Sequence, residues 1–278
     1  MTVDKLIIAV PARLDSSRLP RKVLIDIAGK PMLRRVLDRC NLVKDSSAVV
    51  LCTDSKEIKN LATDWGFKVL MTSQKCTSGT DRISSVINDL LSIAWGGKYR
   101  KRDVIDQNVL QKTVILNVQA DQPFVSPELI AKIYNGFKNY DLKHDILTPI
   151  YLLRDKDIQD PNLVKVVVAS NGDALYFSRS AIPYIRGKPP SEWSRYSKYY
   201  GHIGIYGFRA NVLAHWSEIP SSRLEELESL EQLRFLEGGF GIKTLLANKE
   251  VSSVDTYDDL KALISKMSRN SGRKNYFE

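Results

Sequence analysis

The sequence predicts an α/β fold built on a mostly parallel sheet, and three observations carry that prediction. Short apolar runs at 6–10, 48–52, 67–71 and 113–118 read as buried strands. Stretches with apolar residues at helical spacing stand between them. Strand and helix alternate through the first half of the chain, which is the pattern of parallel strands joined by crossover helices.

The bulk numbers agree with one domain over residues 1–278. With 43% hydrophobic residues the chain can bury a large core. No apolar run reaches membrane-spanning length, and the N-terminus enters a strand without a secretory apolar region. Cys40, Cys52 and Cys76 are far apart and odd in number, so they fit no zinc pattern or disulfide framework. Free thiols in a reducing cytoplasm account for them. The net charge is 41 − 32 = +9. Part of it is local, in 98–102 and 266–274, and neither cluster is interleaved with aromatic residues as a base-stacking surface requires. Anionic small substrates therefore rank ahead of nucleic acid as partners.

The first strand runs into a loop holding Ala12, Arg13, Ser17, Arg18, Arg21 and Lys22. Four cations at the carboxyl end of a first strand stand where open α/β sheets bind ligands, and their natural counterpart is a polyanion such as a nucleoside triphosphate. The loop has no glycine, so it is neither a Walker loop nor a dinucleotide fingerprint. A helix opens at Pro31, a strand covers 48–54, a helix 55–65 and a strand 67–71. The turn 77–82 contains Ser78, with Thr80 or Asp81 as a cap for a helix whose apolar stripe runs from Ile83 to Ala94. Arg82 is either surface charge or a nucleotide contact. Residues 96–112 read as a surface insertion.

The strand 113–118 ends in Gln119, Ala120, Asp121, Gln122 and Pro123. Asp121 is a candidate Mg²⁺ ligand, because that ion takes one or two carboxylates plus phosphate oxygens; as a turn cap before Pro123 it would be ordinary. A helix starts at Ser126-Pro127. From about residue 146 the alternation weakens. A hairpin is signalled by Asn171-Gly172 between 164–168 and 174–178, with Arg179 directly after it. A strand over 202–208 places His202, Gly204 and Tyr206 on one face. Ser222 caps a charged helix over 223–235 that carries Glu231 and Gln232. A strand at 242–247 and a helix starting near 254 finish the chain. Asp255 is either its N-cap or a second metal carboxylate. Residues 269–278 read as a disordered tail.

Several of these segments together resemble one family, the cytidylyltransferases that activate 3-deoxy-D-manno-octulosonate (Kdo) as CMP-Kdo. The matching stretches are 11–13 with 17–20 and Lys22, 29–32, 53–54, 78–82, 117–119 with Asp121, 174–179, 202–206, 230–233 and 254–256. They occur in family order over nearly the whole chain. The resemblance implies a nucleotidyltransferase-type (Rossmann-like) domain with helices on both faces of the sheet. It also implies an inserted β-rich lobe at about 165–215 that makes a homodimer. The implied reaction joins CTP and Kdo into CMP-Kdo and pyrophosphate, for lipopolysaccharide or a related surface glycan. Ala12, Arg13, Ser17, Arg18, Lys22, Ser78 and Arg82 would hold CTP. Gln119, Arg179, His202, Tyr206, Glu231 and Gln232 would hold the sugar acid. Asp121 and Asp255 would hold Mg²⁺, and Arg13, Lys22, Asp121 and Asp255 would carry the chemistry.

The chain departs from the family at Ala120, Arg21 and Val23, where glycine, glycine and proline are usual. At a position needing positive φ, alanine costs on the order of 1 kcal/mol. Competing readings are the same chemistry on 8-amino-Kdo or another acidic sugar, and an inert nucleic-acid-binding protein.

Overall fold

The computed structural model describes residues 3–16, 19–97, 99, 105–139 and 144–270. Strand β1 (Lys5–Ala12) is buried on both faces. Leu6, Ile8, Val10 and Ala12 enter one core while Ile7 and Ala9 enter the other, as the two-residue side-chain period of a strand dictates. A small hairpin, β2 (Asp26–Ile27) and β3 (Lys30–Pro31), leads into α1 (Met32–Asn41). There follow β4 (Ala48–Thr53), α2 (Lys56–Asp64), β5 (Lys68–Met71), α3 (Gly79–Ser84), α4 (Ile87–Trp95), α5 (Gln107–Lys112) and β6 (Thr113–Val118). β1 pairs in parallel with β4 and β6, and β4 with β5.

The second half adds α6 (Pro127–Asn139), β7 (Ile146–Leu152), β8 (Lys165–Val168), β9 (Ala174–Ser178), β10 (Tyr200–His202), β11 (Ile205–Arg209), α7 (Ala210–Ala214), α8 (Arg223–Glu228), α9 (Gln232–Glu237), β12 (Ile242–Leu246) and α10 (Tyr257–Asn270). Among the described residues ten strands form one sheet in the order β5-β4-β1-β6-β11-β7-β10-β8-β9, with β12 parallel to β7. β8 to β11, from the span 165–215, continue this sheet through antiparallel pairings. Helices α1, α2 and α6 pack on one face through Leu33, Val36, Ile58 and Ile130. Helices α3, α4, α7 and α9 pack on the other through Ile83, Leu90, Leu213 and Leu233.

Several expected elements are divided. The stripe from Ile83 to Ala94 spans two helices, because the chain turns at Ser85–Val86. The helix expected over 223–235 breaks at Ser229, whose φ of 51° is left-handed. Its start is as expected: Ser222 accepts from the Glu225 amide and Glu225 reaches back in a capping box. The strand expected over 202–208 breaks at 203–204 and becomes β10 and β11. Within 96–112, the last six residues are helix α5, while 98 and 100–104 lie outside the described residues. Helix α10 runs to Asn270, into the segment expected to be a tail, and 271–278 lie outside the described residues.

Leu260 and Leu263 of α10, with Val254 before it, pack on Leu19, Ile27 and Met32 in a third, smaller core. That core draws the end of the chain onto the loop after β1.

Gly207 of β11 lies where two layers meet. A Cβ there would stand 2.7 Å from Phe137 Cε2, 2.8 Å from Ile133 Cγ2 and 2.9 Å from Leu116 Cδ2. Gly207→Ala is expected to lower stability by about 1–3 kcal/mol through overpacking. A denaturant midpoint equal to that of the unchanged protein would contradict the packing described.

Candidate active site

The carboxyl ends of β1 and β6 open onto a cavity of about 270 Å³. Pro11, Ala12, Arg13, Lys22, Ser78, Gly79, Arg82, Gln119, Asp121 and Asp255 all line it. The position follows from topology, since parallel strands end together and leave their terminal loops as walls. Lys22 carries the ion pairs on its wall. Its ammonium lies 2.7 Å from Asp121 Oδ2 and 3.1 Å from Asp255 Oδ1. The residues 22, 121 and 255 thus meet, and a backbone bond from the Val254 amide to the Asp121 carbonyl at 3.0 Å ties the two carboxylate segments together.

Burial works against the Lys22 charge, but Asp121 and Asp255 outweigh it and raise its pKa, so the ammonium stays protonated. Burial, helped by repulsion from Asp255, lifts the Asp121 carboxyl above its ordinary range although Lys22 pulls it down. Asp255 is not the helix cap: Thr256 Oγ1 accepts from the Asp259 amide instead, at 3.2 Å.

Arg21 holds φ at 54°, in the left-handed region. A non-glycine residue there costs about 1 kcal/mol. Its guanidinium makes a two-pronged contact with Glu57 of α2, one arm at 3.1 Å. Ala120 is absent from the positive-φ residues, so the strain considered for it does not arise.

Ser78 caps α3 by accepting from the Asp81 amide at 3.1 Å. This replaces the expected caps: Asp81 instead accepts from the Thr77 amide at 2.8 Å, and Thr80 faces inward. Arg82 is buried, with its guanidinium on Thr72 Oγ1 and on Asp54 at 3.0 Å. Arg13 is exposed at the rim. Ser17 and Arg18 lie outside the described residues.

Beyond Gln119 a second group of predicted residues gathers on the α3 face of the sheet. Tyr206 of β11 stands opposite Asn117 of β6 in register. The His202 and Tyr206 rings are 5.3 Å apart despite the break between their strands, and His202 also meets Phe177 edge-on at 5.1 Å. The Thr148 hydroxyl donates to the Ile205 carbonyl at 2.8 Å and so accepts from His202 Nε2, also at 2.8 Å. That fixes the neutral ring with its proton on Nε2. Burial pushes the His202 pKa down to about 3, and burial with Glu231 nearby pushes Tyr206 well up.

Glu231 bonds Thr80, and burial raises its pKa against the pull of the Ser78 and Thr80 hydroxyls. Glu231 Oε2, Gln232 Nε2 and Gln122 Oε1 are buried without hydrogen-bond partners among the described residues. Arg179 is turned to the backbone. Nε donates to the Glu228 carbonyl at 2.8 Å, while its terminal nitrogens make, among the described residues, long contacts with Pro161 and Ser229 carbonyls at 3.3 and 3.5 Å.

Sequence reasoning gave no site role to Thr80, Asn117, Asp54 and Gln122, although it noted all four, and it did not single out Thr148. Asp54 follows a strand end just as Asp121 does, a signal that was available. Thr148 sits in β7, a strand whose Thr148-Pro149 pair disguises it. A larger cavity of about 470 Å³ lies between α6, α10 and the 247–252 loop, with no lining residue in common with the first. Its Arg39 and Lys132 donate to the Val125 and Leu246 carbonyls.

A mixed α/β sheet whose strand ends carry a cation-lined cleft and two neighbouring carboxylates suits a nucleotide, and the family match makes the class a nucleotidyltransferase. The chain belongs to the cytidylyltransferase family, whose model matches residues 7–245. It is 39% identical over 266 residues to the 3-deoxy-manno-octulosonate cytidylyltransferase of Parabacteroides distasonis, covering 94% of this chain and 97% of that protein. The corresponding enzyme of Chlorobium limicola is 38% identical over 270 residues, covering 96% and 99%. Among solved structures, CMP:2-keto-3-deoxy-manno-octonic acid synthetase complexed with CTP superposes with a TM-score of 0.81 at 33% identity, covering 96% of this chain and 99% of that one.

The ionisation of His202 gives a test. Its folded pKa lies below its unfolded value, so the unfolded chain binds more protons between about pH 6.5 and 3, and stability falls as pH drops through that window. By NMR the His202 ring is expected to stay neutral from pH 8 to 5. A midpoint near 6.5 would contradict its burial.

Proposed function

We propose that this chain transfers CMP from CTP to Kdo, releasing pyrophosphate. The observation that carries the reading is the meeting of Lys22, Asp121 and Asp255 in a polar cavity at the end of β1, in a chain of the cytidylyltransferase family. The charges support a divalent ion there. At the meeting point alone, one ammonium and two carboxylates sum to 1 − 2 = −1; a divalent cation reverses that local sign beside the triphosphate. Two carboxylates completed by phosphate oxygens are a donor set that suits Mg²⁺, and no described cluster of three or more metal-ligating side chains competes for it. Asp121 and Asp255 would hold the ion, which supplies charge neutralisation and polarisation of the α-phosphate.

The chain's own groups do the rest. Lys22 and Arg13 offset charge on the departing pyrophosphate. Ser78 and the first turn of α3 line the nucleotide side, and Arg82 braces that wall through Asp54. Gln119, His202, Tyr206, Glu231 and Gln232 form the acceptor side, where buried polar groups left unpaired by a wrong sugar exact a penalty. His202 is neutral and acts by hydrogen bonding. The long contacts of the Arg179 terminal nitrogens are readily exchanged for a two-pronged bond to the sugar carboxylate. No covalent nucleophile is required.

A homodimer fits the same reading. Leu175, Tyr184 and Tyr196 are 61, 72 and 53% exposed in the antiparallel end of the molecule, and β9 is an edge strand. Exposed apolar groups beside an open edge favour association. No described helix is long and apolar enough to cross a membrane.

The purified chain with CTP, Mg²⁺ and Kdo is expected to release pyrophosphate and to stop when the metal is chelated. Asp121→Asn is expected to lower kcat by roughly a hundredfold or more with the fold intact. Release with 8-amino-Kdo or another acidic sugar but not with Kdo would move the substrate. Release with none would reject the reading.

A further inference from the structure

We propose that Thr80 is a positioning residue that fixes the Gln119 amide oxygen as a hydrogen-bond acceptor on the cavity wall, selecting ligands that present hydroxyl donors. The inference rests on the reading of Gln119 as an acceptor-side contact.

Thr80 is fully buried and Asn117 nearly so. Gln119 Nε2 donates to Asn117 Oδ1 at 2.8 Å, Asn117 Nδ2 donates to Thr80 Oγ1 at 3.2 Å, and Thr80 Oγ1 donates to Glu231 Oε1. A hydroxyl has a single proton, and the carboxylate can only accept it. The direction of every bond in the chain is therefore set from the Glu231 end. Thr80 must give its proton to Glu231, so it must accept from Asn117. Asn117 must then turn its amide nitrogen inward and its oxygen toward Gln119.

The consequence reaches the cavity surface. Gln119 lines the cavity beside Asp121, and its amide nitrogen is committed to Asn117, which leaves its oxygen for a ligand. Close approach at this point needs a residue without a side chain: a Cβ on Gly79 would stand 3.1 Å from Gln119 Nε2 and 3.0 Å from Pro11 Cγ. At the other end of the chain Glu231 Oε2 is sealed from solvent, with the Ser78 hydroxyl beside its carboxylate. The relay therefore offers its lone pairs to a ligand at Gln119. A sugar hydroxyl satisfies that oxygen; a group that can only accept leaves it unpaired. Because Thr80 lies two residues after Ser78, the turn that lines the nucleotide side also sets the acceptor side.

The test compares Thr80→Val, which keeps the shape and removes the hydroxyl, with Thr80→Ser, which restores it. For the valine variant the KM of the acceptor sugar is expected to rise roughly tenfold or more, with the KM for CTP within about twofold. The serine variant is expected to return near the parent values. In a crystal structure of the valine variant, the Gln119 amide is expected to turn away from Asn117, a result read without any activity. If the valine variant does not fold, Thr80→Ala, which leaves room for water, takes its place in the same measurements. Equal changes in both KM values, unchanged kinetics, or no rescue by serine would overturn the proposal. A parent enzyme that turns over no acidic sugar would instead reject the function on which it rests.

Discussion

One ammonium between two carboxylates organises this molecule. Lys22, Asp121 and Asp255 come from the loop after β1, the end of β6 and the entry to α10. Nothing local in the chain brings them together. The sheet places β1 beside β6, so the first two carriers start from neighbouring strand ends. The third arrives because Val254 bonds the Asp121 carbonyl and because Val254, Leu260 and Leu263 bury against Leu19, Ile27 and Met32. Like charges held this close repel unless a cation lies between them. The lysine fills that role here, and the same geometry suits a divalent ion with a triphosphate alongside.

The acceptor side is built on a different principle. Its polar groups are inside, on one face of a sheet and under a helix end, where each unpaired atom costs about 1–3 kcal/mol. Most are satisfied internally through Thr148, Thr80 and Asn117. The exceptions, Glu231 Oε2, Gln232 Nε2 and Gln122 Oε1, cluster with the residues read as sugar contacts. Those unpaired atoms cost stability, and so does the left-handed Arg21 beside Lys22.

Much of the fold was legible, because buried parallel strands are continuous apolar runs and their helices carry a clear period. β1, β4, β5 and β6 were placed that way, and the Asn171-Gly172 turn gave the β8–β9 hairpin. β7 was not placed, since Thr148 and Pro149 interrupt its apolar run. The breaks at Ser229 and at 203–204 were also hidden: a left-handed serine and a strand that changes partners are set by tertiary packing, not by local pattern. In the site, position after a strand end identified Asp121 and the cationic loop. Of the two readings of Asp255, the helix cap falls to Thr256 instead, and the metal carboxylate stands as proposed. Thr80 and Asn117 fall inside the matched stretches 78–82 and 117–119, but a side chain that acts through another shows no chemistry of its own in the sequence, so neither was given a role in the site.

The most direct measurement is a crystal structure grown with CTP and Mn²⁺, with the metal located by its anomalous signal. The account predicts a single peak in contact with both carboxylates at about 2 Å, phosphate oxygens completing its shell, and Lys22 turned toward the triphosphate. A metal held by CTP and one carboxylate alone, with Asp255 still paired to Lys22, would contradict it.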